Sequence, residues 1–198
     1  MKISMTYCCL LALQLFSCNS NKQEKIKQEI EQDCGEERWN VKTLSDDDTA
    51  FINFDCIIQS TVYDQIKLTT PYNILDSRLV SETPVYSIDC YILEYKEEED
   101  RDIHVIIQGI NTDETMVIEI VNPECSSIKR TSRYNQLKEL YEWFTRNIGI
   151  PTNSFISLDK PKLATITGIG FWDFLHGQNG MAENGREIHP VLSMKLKL

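Results

Sequence analysis

Hydrophobic and polar positions alternate along this chain in a way that changes period several times. Residues 84–198 are the most legible. Val85 to Lys96 reads as a strand, and after the acidic corner Glu97-Glu98-Glu99-Asp100 a second runs from Arg101 to Gln108. In it Ile103, Val105 and Ile107 alternate with Asp102, His104 and Gln108, the period-two pattern of a sheet with one apolar face. Thr115 to Val121 is a third strand, ended by Asn122-Pro123. The period then becomes helical: Tyr134, Leu137, Leu140 with Tyr141, Phe144 and Ile148 share one face. Ser132 is placed to cap that helix, Gly149 sits at its end and Pro151 lies just beyond. Lys162 to Phe171 is a fourth strand, and a loop with Gly and Asn runs from Phe171 to Gly185. Glu187 to Leu198 is the fifth, with Ile188, Leu192, Met194 and Leu196 on one side.

Before this lies an extension, residues 39–83. It holds Asp46-Asp47-Asp48, then Phe51-Ile52-Asn53-Phe54, then Ser60 to Leu68 with strand-like Thr, Val, Tyr and Ile. One helix turn or loop and one or two strands are predicted here, too few for a separate core, so the extension should pack on the strands of residues 84–198. The fold class is therefore mainly β (α+β), in the order β-β-β-α-β-β. That order resembles the oligonucleotide/oligosaccharide-binding (OB) fold, a five-stranded Greek-key barrel. Barrel closure is implied by the resemblance alone, and an α+β sandwich of the same order is the alternative.

The first residues follow a different logic. Lys2 precedes an apolar run from Cys8 to Phe16, broken only by Gln14. The run is too short to span a bilayer, which takes about 20 apolar residues, and it fits a secretory signal. Leu15-Phe16-Ser17-Cys18 resembles the lipobox of bacterial lipoproteins, although Phe16 replaces the small residue commonest there. The expected organisation is a signal peptide over 1–17, a lipidated Cys18, and a tether over 18–38. In Asn19 to Glu37 only Ile26 and Ile30 are apolar, which describes a solvated spacer. An ordinary signal peptide with an incidental cysteine is the alternative. Asn19 is not the Asp that retains lipoproteins at the inner membrane, so an outer-membrane address is expected, with the membrane as partner through the lipid.

Composition narrows the function. Twenty Lys and Arg against thirty Asp and Glu leave a net charge of −10. Such a surface is unsuited to neutralising phosphates, so general nucleic-acid binding and adhesion to anionic lipid through a basic face are both disfavoured. No Gly-x-Ser-x-Gly elbow, phosphate loop, His-Glu-x-x-His helix or Cys-x-x-Cys pair occurs. Outside the signal and Cys18, the cysteines are Cys34, Cys56, Cys90 and Cys125, which allow three pairings in an exported chain.

Several stretches resemble an uncharacterised group of bacterial secreted proteins and lipoproteins. They are Trp39-Asn40-Val41-Lys42-Thr43-Leu44, Leu93-Glu94-Tyr95-Lys96, Asp102-Ile103-His104 and Thr115-Met116-Val117-Ile118-Glu119-Ile120. Asn122-Pro123-Glu124-Cys125 and Gly168-Ile169-Gly170-Phe171-Trp172-Asp173 continue the likeness. It ends in His176-Gly177-Gln178 and Asn184-Gly185-Arg186-Glu187-Ile188-His189-Pro190-Val191-Leu192. The resemblance implies export and a common fold, and carries no established activity.

Two sets of residues are candidates for chemistry. The 173–185 loop offers His176, Gln178 and Asn184, with Trp172 beside it, as a surface for a glycan or an envelope protein, since amides both donate and accept. The second set is Asp102, His104, Glu119, Glu187 and His189. Alternation places Asp102 with His104, and Glu187 with His189, on the polar faces of their strands. Two imidazoles with carboxylates suit a divalent metal or general acid/base work, and a satisfied polar network is the plain alternative. The expected function is a lipid-anchored binding module, with a metal-assisted hydrolase as its rival.

Overall fold

A computed structural model of the chain describes residues 34–197, apart from 36 and 176. The signal peptide, Cys18, the tether to residue 33 and His176 lie outside the described residues. Six strands form one sheet: β1 (Ile57–Ser60), β2 (Val85–Glu97), β3 (Ile103–Gly109), β4 (Thr115–Ile120), β5 (Ile156–Trp172) and β6 (Arg186–Leu196). The α-helices among the described residues are α1 (Trp39–Lys42), α2 (Val62–Ile66) and α3 (Tyr134–Asn147). Strand pairing passes β1-β2-β3-β4-β6-β5, and β5 also pairs with β2. β1 is parallel to the start of β2, β4 is parallel to β6, and the rest are antiparallel. The protein is thus β-rich with few helices, an α+β fold.

The sheet is not the regular five-stranded barrel expected. It has a sixth strand, β1, contributed by the extension. Register shifts break β2 at Ile92/Glu94 and the β5–β6 pairing between Thr167 and Gly170. At the second break the two backbones approach closely. A Cβ on Gly168 would lie 2.7 Å from the Pro190 carbonyl, so glycine is required. These bulges also alter the face expected for β6. Ile188, Val191 and Met194 enter the main core, while Leu192 packs in a second cluster.

The main core lies on one face of the sheet, where Ile103, Val105 and Ile107 of β3 meet Met116, Ile118 and Ile120 of β4. The helix α3 buries Leu137, Leu140 and Phe144, the face its period predicts. Its N-cap position falls on Arg133 rather than Ser132, and no side chain caps it. The second cluster joins Leu44 and Ile52 of the extension to Val121, Cys125, Ile128 and Leu137.

Two more expectations change within the extension. Residues 60–68 are not a strand: Val62–Ile66 form the short helix α2, because Thr61 makes a capping box with Asp64. The fold also begins before residue 39. Cys34 is disulfide-bonded to Cys125, and the buried Arg38 sits just ahead of α1. Arg38 donates to both carboxylate oxygens of Glu82 at 2.8 and 2.6 Å, and to the Trp172 carbonyl at 2.8 Å.

Candidate metal centre

The face of the sheet opposite the main core carries the charged residues. In the β3–β4 register His104 stands opposite Glu119. In the parallel β4–β6 pairing Val117 matches Glu187 and Ile118 matches Ile188, which brings His189 alongside Glu119. Alternation on three neighbouring strands therefore makes a His–Glu–His rung. Asp102, one residue before β3, adds a carboxylate beside it. Its Oδ1 accepts from the Asn122 N–H at 2.8 Å, leaving Oδ2 toward His189.

The distances define the centre. His104 Nδ1 lies 3.0 Å from Glu98 Oε1 and 3.4 Å from Glu119 Oε1. The other oxygen of Glu119 is 2.9 Å from His189 Nδ1, and His189 Nε2 is 3.3 Å from Asp102 Oδ2. Both imidazoles and Asp102 have no exposed surface, and Glu119 is 5% exposed. Phe155 meets His104 edge-on at 5.7 Å, and Phe171 stands 5.4 Å from His189. Arg38 lies over the Phe171 ring at 4.6 Å, so the segment that begins at the disulfide also forms part of the cover.

Short as these contacts are, several of the atoms make no hydrogen bond. His104 Nδ1, both nitrogens of His189, Asp102 Oδ2, Glu98 Oε1 and Glu187 Oε1 are all buried without a hydrogen-bond partner. Nitrogens and oxygens thus face one another closely without hydrogen-bond geometry; His104 meets two carboxylates at one nitrogen, whereas His189 meets Glu119 at Nδ1 and Asp102 at Nε2. His104 Nε2 is hydrogen-bonded to the Asn179 carbonyl at 3.3 Å, so that nitrogen carries the proton. Its Nδ1 then faces two carboxylates with either a second proton or a metal ion. An outer carbonyl orienting an imidazole is the usual support of a metal-ligating histidine.

Charge in the centre is one-sided. Glu98, Asp100, Asp102, Glu119, Asp173 and Glu187 are set against Lys42 and Lys96; Lys42 is 4.0 Å from Asp100, and Lys96 is 3.0 Å from Glu98. Burial first, then the neighbouring Glu119 and Asp173, holds the Glu187 carboxyl well above its ordinary range. Burial lifts Asp102 to about 7, against the pull of His189. Burial opposes charging of the two histidines, yet the carboxylates outweigh it and raise each to about 9. Glu119 moves the other way: burial would raise it, but His189, His104 and Lys42 hold it well below the carboxylate range.

These groups can hold a metal ion in two clusters, Glu98–His104–Glu119 and Asp102–Glu119–His189. No protein-family model, curated protein or solved structure matches this chain.

Of the five residues expected to gather, Asp102, His104, Glu119 and His189 are in direct contact, and Glu187 lies close on the same face. Glu98, Asp100, Lys42 and Asp173 belong to the centre as well, and no period in the sequence singles them out. The acidic corner 97–100 is the only signal for two of them. The loop residues have other roles. Trp172 is buried, with its indole N–H donating to Ser81 at 3.0 Å. The Asn184 amide donates to the carbonyls of Gln65 and Leu68 and accepts from the Arg186 N–H. Gln178 is half-buried with a side-chain oxygen that has no hydrogen-bond partner. A cavity of about 530 Å³ lies elsewhere, at the β3–β4 turn, lined by Thr61, Tyr63, Asp89 and Asn111 among others.

Proposed function

We propose that this protein is a lipid-anchored envelope protein, an OB-like binding module that holds a divalent cation in the histidine–carboxylate centre. One observation carries the cation: His104 Nδ1, with its Nε2 proton on Asn179, faces two carboxylate oxygens at 3.0 and 3.4 Å. For metal–ligand distances of about 2.1 Å, adjacent ligands at 90–110° lie roughly 3.0–3.4 Å apart. The OB-like reading is supported by the pairing order β2-β3-β4-β6-β5-β2, with β4 parallel to β6 and α3 between β4 and β5.

Export is supported by the lipobox-like segment and by a disulfide between Cys34 and Cys125, a bond that persists in oxidising compartments. No helix among the described residues is long and apolar enough to cross a membrane. The ligand of the module is an envelope protein or a glycan, met at the 173–185 loop.

The same residues would serve a metal-assisted hydrolase. Burial of both imidazoles favours an ion that is held over one kept open to substrate.

The test is metal content and thermal melting of the chain from residue 19 onward, before and after chelation. An ion at 100 times its dissociation constant should stabilise the fold by about 2.7 kcal/mol, a shift of roughly 5–11 °C at this size. Failure of Zn²⁺, Mn²⁺, Mg²⁺ and Ca²⁺ to bind or to move the melt overturns the cation reading. For the anchor, Cys18→Ser should release the protein from the membrane fraction, and unchanged fractionation would refute it.

A further inference from the structure

We propose that the centre takes two divalent ions, bridged by the carboxylate of Glu119. This rests on the reading that the centre binds a cation at all. The inference starts from the separation of the two clusters. Glu98 Oε1, His104 Nδ1 and Glu119 Oε1 form one cluster; Asp102, Glu119 and His189 form the other, in which Glu119 Oε2 meets His189 Nδ1 at 2.9 Å and Asp102 Oδ2 meets His189 Nε2 at 3.3 Å. Glu119 alone is common to both, and it turns a different oxygen toward each. A carboxylate bound in this way by two ions spans a metal–metal distance of about 3.5–4 Å.

Independent support comes from the orphaned atoms. His104 Nδ1, Asp102 Oδ2 and the two nitrogens of His189 belong to fully buried residues and have no hydrogen-bond partner. They lie on both sides of Glu119, so an ion on one side leaves the other side as poorly satisfied as before.

The donor set, one imidazole and two carboxylates for each ion, suits Zn²⁺ or Mn²⁺.

The experiment loads the intact protein, solubilised in detergent, with Zn²⁺ or Mn²⁺ and measures ions per chain after removal of loosely held metal. Two are expected. Glu98→Gln and Asp102→Asn should each reduce this to one, while Glu119→Ala should bind neither ion tightly. Thermal melts of the three variants establish that they are folded. On the unmodified protein, electron paramagnetic resonance of the Mn²⁺ form gives a measure that needs no variant. Two ions at this distance give a spin-coupled signal in place of six isolated hyperfine lines. One tightly held ion per chain with uncoupled lines overturns the pair while leaving a single-cation centre intact. No bound ion overturns both.

Discussion

Replacing Glu82 by Ala is the sharpest test of how the chain ahead of β1 is held over the sheet. The Glu82 carboxylate is fully buried and accepts four hydrogen bonds: two from Arg38, one from the Leu79 N–H at 2.8 Å and one from the Trp172 N–H at 2.9 Å. Glu82→Ala removes all four acceptors and leaves the Arg38 guanidinium buried with only the carbonyls of Trp172 and Ser77. Breaking one partner of a buried ion pair costs about 3–5 kcal/mol, because the remaining charge is uncompensated. At roughly 2–4 °C per kcal/mol for a domain of this size, the melt should fall by about 6–20 °C. Circular dichroism melts would read the loss, and amide exchange at Trp172 should accelerate. The double variant Arg38→Met/Glu82→Met should recover only part of the stability, since it leaves no buried charge but still deprives the Leu79 and Trp172 N–H groups of their acceptor. A melt of Glu82→Ala within about 2 °C of the parent would refute the reasoning, because no buried pair removed from one side is that cheap.

Three other outcomes are expected of the same structure. In chelator the protein should lose stability as pH rises from about 6.5 to 9: the histidines, raised from 6.5 to about 9, contribute fully below 6.5 and cease to above 9. Asp102, raised from 3.8 to about 7, acts in the same direction between those values; a melt flat over 6.5–9 would contradict the histidine shifts, and one flat over 4–7 the shift of Asp102. Gly180→Ala should destabilise by about 1 kcal/mol or more, because its φ is +80° and the new Cβ would sit 2.6 Å from the Ile106 side chain. The same change should disturb the neighbouring Asn179 carbonyl at His104, visible as a shifted imidazole resonance; an unshifted resonance with an unchanged melt would oppose this. Maleimide should label Cys56, which is exposed, and spare Cys90, whose thiol burial pushes up to about 12. Labelling of Cys90 at the same rate would be incompatible with its place in the core.

Much of the centre is readable from alternation. Period two in β3, β4 and β6 places His104, Glu119 and His189 on one face, so their meeting needs only the order in which the strands pair. Glu98, Asp100 and Lys42 are not legible, because they reach the centre through a turn and a distant segment that no local period describes. β-propensity alone misreads residues 60–68, because it ignores the Thr61-x-x-Asp64 spacing, whose capping box starts a helix. A strict two-residue count puts Leu192 in the wrong cluster, since bulges are invisible to it. The choice among three cysteine pairings also needs the fold, which brings Cys34 to Cys125 across 91 residues.

The β4–β6 join has a mechanical consequence. Only Val117 with Glu187 and Ile118 with Ile188 are paired there, whereas β3 and β4 share six residue pairs. Where that short ladder ends, Glu119 and His189 continue the contact through their side chains at 2.9 Å. The seam is thus stitched partly by charge rather than by backbone. It is where the sheet should first part under strain, and whatever occupies the centre decides how firmly it stays shut.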